Sequence, residues 1–349
     1  MSGGPILIWG AGAIGGCLGA AFIRAGEEVL FVDSDPRHVE AMERRGLTIT
    51  GPVDPHHVTA HAVLPDAVKG NYDRIILAVK SHHTASALDG VAGHLAPGGF
   101  VISAQNGLEE HRIAAAVGRE RTFGCFLNFG ADYLEPGVVL YGGRGAVVVG
   151  EIDGRETERL AEVYSLFKKF DQAAIRTTNI WGYLWAKLVY GAMLFATALT
   201  NESIADVLAI ERHRPMLVKL AHEIQAVAKA EGIRLEAFNG FDPSAFSLDA
   251  PYALAERSFD EMVIHNRKSA KSHSGIWRDL AVRKRRTEVD AQLGPIVEYG
   301  RRHHIPTPLV AAVIERIHNV EKDIEEGRRG LDLAWLDELD AIAATGAAA

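Results

Sequence analysis

A short apolar run, Pro5-Ile6-Leu7-Ile8-Trp9, leads straight into Gly10-Ala11-Gly12-Ala13-Ile14-Gly15. An Ala- and Leu-rich stretch of helical character follows, and the next apolar run, Val29 to Val32, closes on Asp33. Strand, G-x-G-x-x-G, helix, strand and acid in that order read as the opening βαβ unit of a dinucleotide-binding sheet. The three glycines are there for different physical reasons. Gly10 allows the tight turn, Gly12 lets the backbone approach a pyrophosphate, and Gly15 lets the helix lie close to the sheet. Gly10, Ala11, Gly12, Ala13, Ile14 and Gly15 are therefore the expected cradle, with the pyrophosphate on unpaired N–H groups at a helix N-terminus. Asp33 follows Gly10 by roughly the 20 residues expected of a carboxylate that binds the adenosine ribose. The competing reading is a glycine-rich turn in some other α/β sheet.

Asp33 also bears on the choice of nicotinamide. A carboxylate there accepts hydrogen bonds from both ribose hydroxyls and repels a 2′-phosphate. Asp35 deepens the negative field, and the first basic residue after the strand is Arg37. NAD is the expected cofactor; Arg37 swinging toward a phosphate would favour NADP instead.

With 349 residues, 48% apolar and 23% charged, the chain reads as an ordinary globular protein of two domains. Its net charge of −8 argues against nucleic acid or an anionic membrane as a main partner. Nothing near the start resembles a signal peptide, and the longest apolar stretch, Leu188 to Leu199, is too short to span a bilayer. Cys17 and Cys125 are the only cysteines, so no disulfide framework is expected and the cytoplasm is the default location. Six of the 15 histidines fall in doublets, His56-His57, His82-His83 and His303-His304. Adjacent side chains point apart, so no metal site is expected.

The first half alternates strands with helical stretches, as a doubly wound parallel sheet does. Strands are expected at Ile6–Trp9, Val29–Val32, Arg74–Val79, Phe100–Ser103 and Thr122–Phe126. Val138–Tyr141 and Ala146–Val149 look like an antiparallel pair around Gly142 to Gly145, and a helix and one more strand follow at Thr157–Phe170 and Ala173–Arg176. From Ile180 strand signals vanish and long amphipathic patterns take over: Trp181–Leu199, Glu211–Glu231, Ala253–His265, Trp277–His303 and Pro308–Glu326. The expected architecture is an α/β Rossmann-type parallel-sheet domain, residues 1–178, followed by an all-helical substrate and dimerisation domain, residues 179–340. Phe238 to Pro243 reads as a loop suited to a lid or a dimer contact, and the small-residue tail from Ala341 as frayed. A homodimer is expected.

Beyond the glycine loop, Lys80 follows a central strand at the sheet edge where ligands bind; a solvated loop lysine is the plainer reading. Asn106, in Gln105-Asn106-Gly107, either marks a tight turn or offers its amide to the nicotinamide ribose or the reacting oxygen. Lys187 stands on an otherwise apolar helix, either snorkelling or, partly buried, with a pKa lowered enough to exchange a proton with substrate. Glu288 follows the basic run Arg283 to Arg286 on a long helix, with Lys284 and Gln292 at helical spacing; a solvated charged face is the alternative.

Taken together, the glycine loop, Val79-Lys80, Gln105-Asn106-Gly107, Trp185-x-Lys187-Leu188, Thr287-Glu288-Val289-Asp290 and Gly294…Ile305-Pro306-x-Pro308 resemble the ketopantoate reductase (2-dehydropantoate 2-reductase) family over nearly the whole chain. The resemblance implies a Rossmann-type domain, an all-helical domain, an active site in the cleft between them, and hydride transfer between C4 of a nicotinamide and a 2-oxo acid. It also implies Lys187 as general acid, Glu288 as a carboxylate holding the reacting groups, and Asn106 and Lys80 as contacts to cofactor and active site.

Departures from the family pattern shape the functional expectation. The family has Asn four and eight residues after its catalytic Lys, where this chain has Gly191 and Phe195, expected on the same helix face. Where the family has Ser-Ser-Met, this chain reads Lys271-Ser272-His273-Ser274-Gly275-Ile276-Trp277-Arg278. The family's basic residue for NADPH is replaced by Asp33. Each substrate amide lost removes ~1–3 kcal/mol if its partner stays buried, so pantoate chemistry is disfavoured while the oxidoreductase chemistry stands. Gly191 and Phe195 would line a substrate pocket that Asn106 also contacts, and His265, Lys271, His273, Ser274 and Arg278 are candidates for holding an anion, helped by a helix dipole. The leading expectation is an NAD-dependent oxidoreductase of a small hydroxy acid or its oxo form, sugar-derived acids among the candidates, with Lys187 as general acid or base. The alternatives are a true 2-dehydropantoate 2-reductase and a catalytically silent dinucleotide sensor.

Overall fold

In the computed structural model, residues 4–268, 272–328 and 330–345 are described. The chain divides into two compact units, Met1–Ile180 and Trp181–Ala349.

The first unit is built around an eight-stranded sheet. Its first strand, β1 (Ile6–Trp9), is buried on both faces, as expected of a central parallel strand. Alternate residues enter opposite layers: Ile6 and Ile8 join one core with Phe22, Phe31 and Phe167, and Leu7 and Trp9 join the other with Leu88, Val91 and Ile113. Helix α1 (Ala13–Arg24) returns the chain to β2 (Val29–Val32), and α2 (Pro36–Arg45) follows, its N-terminus capped by Asp35 and fixed by Pro36. Next come β3 (Leu47–Thr50), β4 (His56–Val58), β5 (His61–Val63), β6 (Tyr72–Leu77), α3 (Thr84–Gly93), β7 (Leu95–Ser103), α4 (Glu110–Val117) and β8 (Thr122–Leu127). The unit ends with β9 (Gly130–Glu135), β10 (Val138–Gly143), β11 (Val147–Glu151), α5 (Glu158–Phe170) and β12 (Ile175–Arg176).

The large sheet runs β12-β11-β8-β7-β6-β1-β2-β5. Its neighbours are parallel except β11, which is antiparallel to β8. Strand order reverses between β1 and β6, so the loops after β1, β6 and β7 share the carboxyl edge at a switch point.

A second sheet, β4-β3-β10-β9, packs on α1, where a Cβ at Gly16 would lie 3.1 Å from Val139. The hairpin expected from Val138–Tyr141 and Ala146–Val149 is therefore absent. β10 pairs with β9 and β3, whereas β11 pairs with β8 and β12. At Gly145 the chain crosses from one sheet to the other so closely that a Cβ would lie 2.0 Å from the Asn128 carbonyl.

The second unit is helical: α6 (Ile180–Thr197), α7 (Ile204–Ala209), α8 (Arg214–Ala230), α9 (Tyr252–Lys268), α10 (Gly275–Trp277), α11 (Val289–Arg302), α12 (Pro308–Glu325) and α13 (Ala334–Thr345). Among the described residues no helix is long and apolar enough to cross a membrane.

Three expectations for this unit are corrected. The single helix Trp277–His303 is broken: α10 runs into a π turn, Arg278–Val282, and α11 begins only at Val289. Buried Asp279 explains the break, because it gathers Arg283 (3.1 Å) and Arg285 (2.8 Å) into a corner where Lys284 adopts a φ of 48°. The Phe238–Pro243 loop is pinned rather than lid-like. Asn239 and Gly240, both at positive φ, make a tight hairpin closed by Phe238–Phe241 backbone bonds of 3.0 and 2.7 Å. Both Phe side chains are buried against Tyr190. Finally, residues 341–345 complete α13, held by buried Trp335, Leu336, Leu339 and Ala343 at helical spacing.

Candidate functional site

The glycine loop has the shape its sequence implies. Gly10 has a φ of 104° and so near an approach to the end of β6 that a Cβ would meet Val79 N at 2.6 Å. At Gly15 a Cβ would lie 1.9 Å from the Gly10 carbonyl, so helix and loop touch there. Gly12 differs: nothing in the described protein lies within 4 Å of where its Cβ would stand. The protein itself does not require glycine at that position, whereas a pyrophosphate lying against the backbone does. Gly12 is also the N-cap residue of α1, which has no side-chain cap bond and no acid in its first turn, so the chain itself does not neutralise the dipole at that end. The residues fit a dinucleotide.

Asp33 sits at the end of β2, half-buried, and accepts from Ala11 N and Asp35 N at 2.9 Å each. Its carboxylate thus braces the loop. Arg37 lies against Asp35 at 3.3 Å and is 81% exposed; a surface pair of this kind is worth ~0–1 kcal/mol. The motif gives no hint of His38. Its ring, 1% exposed, accepts from Gly137 N at Nδ1 (3.0 Å), which leaves Nε2 to donate to the Ala11 carbonyl at 2.9 Å. The Ala11 peptide is held on both sides, by Asp33 and by His38. No local pattern reports this, because the partner Gly137 is far along the chain.

Lys80 and Asn106 stand on adjacent loops at the carboxyl edge. Ser81 Oγ donates to the Asn106 carbonyl (2.9 Å), and Gln105 Nε2 donates to the Val79 carbonyl and Thr84 Oγ1 (2.8 Å each). The two loops carrying these candidates are therefore one tied assembly.

In the helical unit, buried Trp185 stacks on Tyr299 at 5.8 Å, and Gln292 Oε1 lies 3.8 Å from where a Gly191 Cβ would stand. As α6 ascends from 185 to 191, its neighbours on α11 descend from 299 to 292, so the two helices run antiparallel. Along α6 the half-exposed positions Tyr183, Lys187, Tyr190, Gly191 and Leu194 form one stripe. Gly191 shares the Lys187 face, but Phe195 has no exposed surface and is a core residue, contrary to its expected place on the pocket wall. Seven residues bring the helix to within about 20° of its starting direction, whereas eight overshoot by about 80°, so Leu194 takes the position assigned to Phe195. Glu288 is half-buried as the residue preceding α11, one turn before Gln292; Lys284, beyond the helix break, is not its helical neighbour.

The segment expected to hold an anion is largely occupied internally. His273 meets Ser272 Oγ (2.8 Å) and the Asn201 carbonyl (3.2 Å) and packs on Trp277 at 4.0 Å. Ser274, 5% exposed, caps α10 by accepting from Trp277 N. The long helix whose dipole was to assist does not start here. Arg278 is half-buried, His265 is exposed on α9, and Lys271 lies outside the described residues. One trio among the described residues, His213, Asp337 and Asp340, brings potential ligand atoms within 4.8 Å. Asp340 already holds His213 Nδ1 at 2.5 Å, and His213 Nε2 is buried without a partner. A metal on Nδ1 would force the proton onto Nε2, where no described group accepts it. The pair reads as a tie between α13 and the start of α8.

Comparison with known proteins accords with this geometry. Residues 6–154 match the family described as ketopantoate reductase PanE/ApbA, and residues 179–321 match its C-terminal domain. The 2-dehydropantoate 2-reductase of Pyrococcus abyssi is 30% identical over 305 residues, covering 87% of this chain and 93% of that protein. A PanE/ApbA family ketopantoate reductase from Ralstonia eutropha JMP134 superimposes with a TM-score of 0.77 at 28% identity, over 92% of this chain and 99% of that one. A D-mandelate dehydrogenase solved with NADH and anilino(oxo)acetate shares the fold at the same TM-score and 24% identity, over 92% and 99% of the two chains. With both domains matched in order, the chain belongs to the ketopantoate reductase family of nicotinamide-dependent oxidoreductases acting on CH–OH groups.

Proposed function

We propose that this protein interconverts a small 2-hydroxy acid and its 2-oxo acid with NAD, rather than serving pantoate synthesis. The observation that carries this reading is the accessible stripe of α6: Lys187 stands on it, flanked by Gly191, Tyr190 and Leu194, where a pantoate site would need amides. The bound nicotinamide supplies or receives the hydride. Lys187 Nζ takes the hydroxyl proton when the hydroxy acid is oxidised and returns it to the carbonyl oxygen in the reverse direction. Glu288 orients the reacting groups, Asn106 and Lys80 contact cofactor and substrate from their tied loops, and Asp33 selects NAD by accepting from the ribose hydroxyls and repelling a 2′-phosphate. Arg278 and Lys271 are the remaining cationic candidates for the substrate carboxylate.

A second reading, reduction of 2-dehydropantoate, is favoured by the name of the Pyrococcus abyssi relative at 30% identity. Initial rates separate the two: a panel of 2-hydroxy acids with NAD and NADP, and of 2-oxo acids including 2-dehydropantoate with NADH and NADPH. Efficient 2-dehydropantoate reduction, with kcat/KM in the ~10⁴–10⁸ M⁻¹s⁻¹ range of ordinary enzymes, would overturn the first reading. Nicotinamide binding without turnover of any panel member would point to a sensor. A homodimer is proposed as the working assembly, giving a light-scattering mass near twice 37.8 kDa.

A further inference from the structure

By spacing alone Gln292 is no more than a helical neighbour of Glu288, and the structure gives it a different setting. It lies on the first turn of α11, half-buried, and its side chain reaches across to α6. Among the described residues, Gln292 Oε1 is the single atom beyond α6 itself within 4 Å of the position a Gly191 Cβ would occupy, at 3.8 Å. The missing side chain at Gly191 thus leaves a gap bordered on one side by a primary amide. Lys187 is one helical turn from Gly191 along α6, about 6 Å, and Glu288 is one turn from Gln292 along α11, also about 6 Å. Because the helices are antiparallel, the amide stands between the lysine and the carboxylate on the surface of the helix pair.

We infer that Gln292 is a substrate-binding residue, holding the carboxylate and hydroxyl (or oxo) oxygens of a 2-hydroxy acid seated over Gly191. A primary amide suits that pair of groups: its NH₂ donates to a carboxylate oxygen while its carbonyl accepts from the hydroxyl. Being neutral, it adds an oriented donor beside Lys187 without a second positive charge. Gly191 is needed for the arrangement, because a larger side chain there would displace the amide and fill the seat. The remaining stripe residues, Tyr190 and Leu194, would face the substituent on C2. Tyr190 is fastened through its hydroxyl to Asn266, and its ring packs on Phe238 and Phe241, so it offers a fixed apolar edge.

The inference rests on the 2-hydroxy-acid reading, and the test separates the two. Oxamate, an inert 2-oxo-acid analogue, is titrated into the NADH-loaded protein by calorimetry, beside kinetics with whichever panel member turns over. The expected result is binding to the wild type, weakened ~10–100-fold in Gln292→Leu and further in Gln292→Glu, where like charges meet. KM for the hydroxy acid should rise in parallel, while NADH affinity and thermal midpoint stay at wild-type values. Gly191→Leu should reproduce the loss, and combining it with Gln292→Leu should add little, since both remove the same seat. Gly191→Ala, whose Cβ meets only an ordinary contact, should fold normally. Wild-type oxamate affinity and KM in both Gln292 variants would overturn the role of Gln292 and leave the hydroxy-acid reading standing. Failure of the wild type both to bind oxamate and to turn over any panel member would overturn both.

Discussion

Gly12 and Gly15 belong to the same motif, yet they answer to different constraints, and their substitutions should separate accordingly. Gly12→Ala meets no protein atom within 4 Å, so its thermal midpoint should match the wild type while cofactor affinity falls at least ~10-fold, measured by fluorescence titration. Gly15→Ala drives a Cβ into the Gly10 carbonyl and should also lose ~1–3 kcal/mol of stability. At Asp33, NAD should bind several-fold more tightly than NADP. Asp33→Ala should narrow that ratio, and it should also weaken NAD, because the carboxylate braces Ala11 and Asp35; dissociation constants favouring NADP in the wild type would sink the assignment. Lys187→Ala should remove ~10²–10⁴-fold of turnover with cofactor affinity nearly intact, and the pH–rate profile should lose one ionisation. The glycine loop and Asp33 were legible in the sequence because their geometry is local. The His38 bonds and the approach of Gln292 to Gly191 were not, since each joins residues brought near only by folding.

Helix α12, which has no cap of its own, is capped by a side chain of another helix. Glu223 of α8 reaches the N-terminus of α12, accepting from Leu309 N and Val310 N at 2.9 Å each. Burial pushes its carboxyl up to about 7, outweighing the pull of those two N–H groups in the other direction. A carboxyl whose folded pKa lies above its unfolded value binds more protons when folded, so stability falls as pH rises from ~4.5 through ~7. At ~1.4 kcal/mol per unit, the loss is of the order of a few kcal/mol, readable by denaturant titration at either end of that range. Glu223→Gln should flatten this slope and lower stability at acid pH, because an amide NH₂ cannot accept the second helix N–H. Helices α6, α8, α9 and α12 were visible from periodicity alone. The break before α11 was not, because it is made by buried Asp279 rather than by a proline or glycine in the sequence. Helix α13 was missed because small residues near its end masked the spacing of Trp335, Leu336, Leu339 and Ala343.

Across the whole molecule, both cysteines lie in the core of the first unit, and burial pushes the Cys17 thiol up to about 12. Native protein should therefore show no fast thiol labelling at neutral pH, and two thiols should react once it is denatured; rapid native labelling would contradict the packing of α1 and β8. Such labelling reports opening of the first unit and is blind to the second, which has no cysteine. The sequence by itself determined the class of each half, the parallel sheet and its glycine loop, a nicotinamide as the class of cofactor, and the place of a lysine on α6, because hydrophobic period and turn chemistry are properties of neighbouring residues. Only the tertiary structure decided which strands pair in the second sheet, where α11 begins, which residue of the α6 stripe is accessible, and which amide stands over Gly191. Those depend on contacts between residues distant in the chain, and no local spacing encodes which of many sterically possible partners will meet.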